Sequence, residues 1–103
     1  MNCIYTITVC EKCQLDSLGW PNFGDLRVVG WYSSYEKAEL AVKENWADIF
    51  EHSYEYAFIE QIEEGLYPNV PSRWFFKWNE DTKQYEHIQE PEGFKHFCNF
   101  SIG

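Results

Sequence analysis

The chain has 103 residues, 19% of them aromatic, and its 17 acidic against 8 basic residues give a formal net charge of −9. A chain of this length forms one domain, here 1–103, and so many aromatic rings exclude disorder. The charge disfavours direct binding to nucleic acid phosphates and favours a basic or metal-bearing partner.

The chain lacks the sequence features of export and of membrane insertion. The segment from Met1 to Val9 contains no basic run followed by an apolar core, so we expect no signal peptide. No apolar run approaches the length of a membrane span. The four cysteines are then most simply reduced thiols. These features together predict a cytoplasmic protein.

The first part of the chain reads as two strands joined by a loop. Apolar and polar side chains alternate from Cys3 to Cys10, as in a β-strand. The alternation stops over 11–25, which predicts a surface loop pinned by Trp20 or Phe23. A second strand is predicted over 26–32, where β-branched and aromatic residues predominate.

The segment from Ser33 to Glu51 is the only one with a sustained helical period, and it predicts an amphipathic helix. Ser33 and Glu36 have the spacing of a capping box at the helix start. Trp46 and Ile49 are expected to pack into the sheet, and Asn45 falls inside the apolar arc, where it caps a backbone group or marks the edge of the stripe. The apolar arc comprises Tyr35, Ala38, Ala41, Val42, Trp46 and Ile49.

The remainder predicts a central strand, a loop and a hairpin. The strand covers 54–62 and the loop 63–72, and the hairpin pairs 73–79 with 84–89. A single helical turn over 91–97 and an edge strand over 99–102 complete the chain. The predicted fold class is α+β, an antiparallel or mixed sheet of about four to six strands with one main helix on one face.

Cys10 and Cys13 have the spacing of half a zinc site, because two intervening residues let both thiolates reach one tetrahedral ion. His96 and Cys98 are candidates for the other half. The alternative is that all the cysteines are ordinary thiols. A redox function for the pair is less favoured, since the motif follows a strand instead of opening a helix. No other cofactor is indicated.

No catalytic constellation is recognisable, and the protein is not expected to be an enzyme. His52, His87 and His96 lie beside no nucleophile motif and are expected to be surface residues. Glu63 and Glu64 point to opposite sides of an extended segment, so they are expected to be solvated instead of sharing a proton.

Two surfaces remain as candidate binding sites. An aromatic face could stack a nucleotide-like ligand, with the helix covering it as the alternative. Its residues are Tyr54, Tyr56 and Phe58 with Trp74, Phe76 and Trp78. An acidic surface could instead bind a basic protein, although Lys37 and Lys43 interrupt it, and a homodimer is left open. Its residues are Glu36, Glu39, Leu40, Glu44, Asp48 and Glu51 on the helix, with Glu80, Asp81 and Glu86 from the hairpin.

Several segments together resemble a family of small uncharacterised proteins from Gram-positive bacteria and their phages. They are Val29–Glu39, Tyr56–Glu60, Gly65–Pro68, Trp74–Trp78 and Asn99–Gly103. The family offers no catalytic residue to transfer. The resemblance implies a cytosolic bacterial or mobile-element setting, in which small acidic proteins sometimes block nucleases by imitating nucleic acid. The leading hypothesis is therefore a non-catalytic interaction module, with nucleic acid mimicry as its sharper form, a ligand-binding aromatic face as the alternative and zinc binding as a further alternative.

Overall fold

The computed structural model describes residues 2–66 and 70–91, except for the side chain of Pro21. These residues form a five-stranded antiparallel sheet with one α-helix packed on it, which confirms the α+β prediction. The strands of this sheet follow the spatial order 26–32, 3–10, 56–63, 72–79 and 84–88. The predicted helical turn over 91–97 and the predicted strand over 99–102 lie outside the described residues, apart from Pro91.

The strands of the sheet lie close to the predicted segments. They are β1 (Cys3–Cys10), β4 (Leu26–Tyr32), β5 (Tyr56–Glu63), β6 (Ser72–Asn79) and β7 (Gln84–Ile88). Each segment alternates side chains between the two faces, so both faces carry apolar groups and the strands pair in a fixed register. The register shifts once, between Ile7 and Thr8 opposite β4.

The connection predicted as an irregular loop contains a small ribbon. Strands β2 (Gln14–Leu15) and β3 (Pro21–Asn22) pair antiparallel and form a second sheet. This ribbon is not predicted by the sequence analysis because each strand has only two residues, too few for an alternating pattern. Of the two residues predicted to pin the loop, Phe23 packs against the buried cluster that contains Cys10, whereas Trp20 is exposed.

The helix α1 (Tyr35–Lys43) is shorter than predicted. It begins one residue later than a cap at Ser33 predicts. Ser34, not Ser33, is the N-cap, and its side chain accepts a hydrogen bond from the backbone N–H of Lys37. The prediction that the helix extends to Glu51 is wrong. The helix ends because Asn45 adopts a left-handed conformation, which is common just after a helix, and only a 3-10 turn (Trp46–Asp48) follows.

The main core lies between α1 and the sheet. Ala38, Ala41 and Val42 of the helix are buried against both central and edge strands. The prediction that Trp46 packs into the sheet is wrong, since its side chain is 39% exposed, while Ile49 packs partly buried against the core. Phe50 is buried instead, because the turn after Asn45 redirects the chain before this residue.

The opposite face of the sheet is also buried at its centre. Thr8, Phe58 and Glu60 are inaccessible to solvent. The Glu60 carboxylate accepts a hydrogen bond from Nε of Arg73 at 2.8 Å, so the buried charge has an ionic partner on the neighbouring strand. Both faces of the central strands are thus interior, which explains why β1, β5 and β6 are rich in large side chains.

Candidate interaction surface

Most long connections of the described chain meet at one end of the five-stranded sheet. Strands β1 and β6 end there, and β4, β5 and β7 begin there, because all neighbouring strands are antiparallel. The connections 11–25, 44–55 and 80–83 therefore lie side by side. We call this region the turn end.

The turn end concentrates exposed carboxylates. Its cations are Lys12 and Lys83 in the connections, with Arg27, Lys43 and Lys77 at the adjoining ends of β4, α1 and β6. Its exposed acidic residues are Glu11, Asp16, Asp25, Glu44, Asp48, Glu51, Glu55, Glu80 and Asp81. Carboxylates outnumber cations, so this end of the molecule has a negative field that attracts positively charged groups.

Several of these carboxylates are held by hydrogen bonds. Asp25 Oδ2 accepts from the Tyr54 hydroxyl at 2.5 Å, and this bond raises the pKa of Tyr54. Glu80 accepts from the Lys83 ammonium and from Trp78 Nε1, and these donors lower the pKa of Glu80. The donors of Glu80 favour its ionised form, so this carboxylate keeps its negative charge.

The connection after α1 has an unusual backbone. Asn45, Ala47, Asp48, Glu51 and His52 all have positive φ angles between 48° and 59°, a region that non-glycine residues adopt at an energetic cost. The Asn45 side chain offsets part of this cost, since its Oδ1 accepts from the backbone N–H of Phe50 at 3.0 Å. Of the two alternatives considered for Asn45, the structure shows the capping of a backbone group.

This backbone moves acidic residues from the predicted helix face to the turn end. Asp48 accepts a hydrogen bond from Asn45 Nδ2, and Glu51 lies 3.4 Å from Arg27 on β4. The structure therefore brings Asp48 and Glu51 together with Glu44, Glu80 and Asp81 of the predicted acidic surface.

The remaining residues of the predicted acidic surface lie elsewhere. Glu36, Glu39 and Leu40 stay on α1, where Glu39 accepts from the Tyr35 hydroxyl at 2.8 Å and Leu40 is exposed. Glu86 pairs in register with Lys77, so it lies on the sheet face opposite the helix. Glu36, Glu39 and Leu40 therefore belong to the helix surface and not to the three connections, whereas Glu86 borders an open cleft together with Glu80 of the turn end.

The predicted aromatic face does not exist as a single surface. Trp74, Phe76 and Trp78 lie beneath the helix layer, where Tyr35 covers Trp74 and Phe50 stacks on Trp78. Tyr54 belongs to the same core.

The other aromatic residues of that prediction occupy the opposite side of the sheet. Phe58 pairs with Phe75 and Tyr56 pairs with Lys77, and directly opposed residues share a face. Tyr56 contacts the Lys77 ammonium, which lies 5.6 Å from the ring centroid. The prediction grouped the strands correctly but assigned the two rows to one face, because the register of β5 against β6 cannot be obtained from either segment alone.

The described half of the predicted zinc site is a buried thiol beside a half-buried one. Burial, with a smaller effect from Cys13, raises the pKa of the Cys10 thiol to about 12. Zinc binds the thiolate form of cysteine. Because burial favours the neutral thiol of Cys10, this environment opposes zinc binding by this residue. Among residues 2–66 and 70–91 no three His, Cys, Asp or Glu side chains are placed to hold a metal. His96 and Cys98 lie outside the described residues.

The histidines and concave surfaces of the described chain show no convergent polar site. His52 and His87 are exposed, and each lies edge-on to a phenylalanine ring, Phe50 and Phe76 respectively. Open clefts of about 500 and 520 Å³ lie, respectively, beside the start of β6 and the end of β7 and beside the start of α1.

Glu63 is half-buried and Glu64 is exposed, and the two residues occupy consecutive backbone positions at the end of β5.

Comparisons of the chain with protein-family models, with curated proteins and with solved structures gave no match. In the part of the chain that the structure describes, no helix has the length and apolar character needed to cross a membrane. The candidate surface therefore has to be interpreted from its own chemistry.

Proposed function

We propose that the protein is a small, non-catalytic interaction module of the bacterial or phage cytoplasm that binds a basic protein through its turn end. The observation that carries this proposal is the grouping of exposed carboxylates from three separate connections at one end of the sheet. A surface of this kind accelerates and orients the approach of a positively charged partner.

The turn end supports this proposal better than the helix does. On α1, Lys37 and Lys43 alternate with the acidic residues, and Lys43 lies 3.8 Å from Glu39. Such a mixed surface offers little net attraction to a cationic partner. The turn end has fewer cations per carboxylate, and its left-handed backbone holds Asp48 and Glu51 in fixed positions.

In its sharper form, the proposal is that the carboxylates take the place of phosphates in the groove of a nucleic-acid-binding protein. A groove that binds phosphates presents clustered Lys and Arg side chains, and it would bind a clustered set of carboxylates by the same Coulombic attraction. The formal charge of −9 supports this form because it opposes binding to nucleic acid itself.

Affinity capture followed by elution with increasing salt tests the proposal. We expect the immobilised protein to retain a basic protein from a lysate of Gram-positive bacteria, and an unrelated protein with the same net charge serves as the control column. Retention should weaken steeply between about 50 and 200 mM salt and should be lost on adding DNA or RNA. A partner that is neutral and insensitive to salt contradicts the proposal. A basic partner that ignores added nucleic acid contradicts only the mimicry.

A further inference from the structure

The ribbon β2–β3 extends the sheet beyond the turn end. Past the end of β1, the backbone N–H of Glu11 donates to the carbonyl of Asp25 at 3.1 Å, and that of Lys12 donates to the carbonyl of Phe23 at 3.2 Å. The ribbon therefore continues the β1–β4 pairing outward and carries its tip away from the core. Its outermost segment is the connection 16–20.

One side chain holds this tip in a single conformation. Asp16 Oδ1 accepts from the backbone N–H of Leu18 at 2.9 Å and from that of Trp20 at 2.8 Å. The backbone N–H of Asp16 donates to the Trp20 carbonyl at 2.9 Å, and Gly19, with φ of 84°, donates to the Asp16 carbonyl. An ordered tip loses little conformational entropy when it binds a partner.

The ordered tip presents large apolar side chains to solvent. Leu15 is 48% exposed, Leu18 81% and Trp20 67%, and we call these three residues the apolar knob. A single exposed leucine is ordinary, but a tryptophan and two leucines exposed within 15–20 of one short ribbon are an unusual concentration of residues that anchor interfaces. Because the ribbon continues past the end of β1, a pocket in the partner would bury more of these side chains than a flat surface would.

We propose that the apolar knob inserts into an apolar pocket bordered by Lys or Arg on the basic protein partner, an inference that rests on the proposed function. The charge around the knob selects this occupant. Asp16 lies within the tip, and Glu11 and Asp25 outnumber Lys12 at the base of the ribbon, so a cationic rim around the pocket is complementary. A second copy of the chain, at −9, and an anionic membrane both bring charge of the wrong sign.

Site-specific photo-crosslinking in cells of the organism that encodes the chain tests the inference. The probe is a benzophenone amino acid placed at position 18, with position 40 on α1 as the control because Leu40 is also an exposed leucine. We expect an adduct from position 18 only, formed with a protein segment that lines an apolar pocket flanked by Lys or Arg. The absence of an adduct, equal adducts from both positions, or an adduct with lipid or with a second copy overturns the inference.

Substitutions measured against the crosslinked protein separate the knob from the acidic surface. Trp20→Ser should lower the affinity at least about tenfold, whereas Leu40→Ser should leave it unchanged. Asp16→Asn keeps an acceptor for both N–H groups and Asp16→Ala does not, so the alanine variant should bind several-fold more weakly at equal charge. Equal affinities for Trp20→Ser and wild type overturn the knob but leave salt-dependent binding, and with it the proposed function, intact.

Discussion

The ring of Phe50 lies parallel to the indole of Trp78, with 3.9 Å between ring centroids and 7° between ring planes. This stack joins the connection after α1 to strand β6, and His52 and Glu80 flank it on the two sides. Together with buried Tyr54, it anchors the connection 44–55 to the core and so supports the acidic residues around it. The stack is therefore both part of the core and the support of the turn end.

Replacing Phe50 tests this role. Phe50→Ala should lower the free energy of unfolding by about 3–5 kcal/mol, since it removes a buried ring and leaves a cavity beneath Trp78. Trp46→Ala is the matched control, because it removes a larger ring that is 39% exposed and contacts Tyr32 edge-on. We expect that variant to lose only about 1 kcal/mol. Urea denaturation measures both values. A larger loss for Trp46→Ala than for Phe50→Ala would contradict the burial of Phe50 and support a helix that extends to Glu51.

Substitution of Asn45 tests the left-handed connection. Asn45→Ala should lower the free energy of unfolding by about 2 kcal/mol. It removes the acceptor for the Phe50 N–H, and alanine has no side-chain hydrogen bond to stabilise the backbone at φ of 52°. Asn45→Gly tolerates the left-handed backbone and should lose about half as much. Thermal or urea unfolding gives the order wild type, glycine, alanine, and an alanine variant as stable as wild type would exclude this geometry.

The buried thiol of Cys10 should make the fold sensitive to alkali. Its pKa is raised from 9.0 to about 12, so above about pH 9 the unfolded chain releases this proton while the folded chain keeps it. The stability present below pH 9 is then lost progressively as the pH rises toward 12, by about 1 kcal/mol at pH 10. Cys10→Ala should show a smaller loss between pH 7 and pH 10 than wild type. The control is Cys3→Ala, and identical pH dependence in all three proteins would contradict the burial of Cys10.

The sheet was predictable from sequence because alternation is a local signal. The strands β1 and β4 match their predicted limits, since turn residues or a change of period bound them on both sides. The end of the helix was not predictable in the same way. Trp46 and Ile49 preserve the helical period, and the helix ends at a left-handed Asn45, whose position inside the apolar arc does not by itself indicate a helix end.

The candidate surface was predicted only in part, for a different reason. Glu11, Asp16 and Asp25 were not included because their connection lies far from the others in the chain, and Glu55 was not included because it falls in the predicted strand 54–62. Only the antiparallel order of the strands places these connections at one end. The helix returns the chain to the end of the sheet where β1 finishes, so β4 and β5 run in the same direction, and this crossover cannot be read from the strand segments alone. The face on which Glu86 lies was also not predictable, because it depends on register.

The central claim is that the turn end, and not the overall charge, binds the basic partner. A turn-end variant with Asp48→Asn, Glu80→Gln and Asp81→Asn is compared with an opposite-end variant that carries Glu36→Gln, Glu64→Gln and Glu90→Gln. All six residues are exposed and both variants undergo the same change in net charge. Equilibrium affinity for the captured partner, measured over a series of salt concentrations, is the decisive quantity. The account predicts at least about tenfold weaker binding and a shallower salt dependence for the turn-end variant alone. Equal weakening in both variants would contradict it.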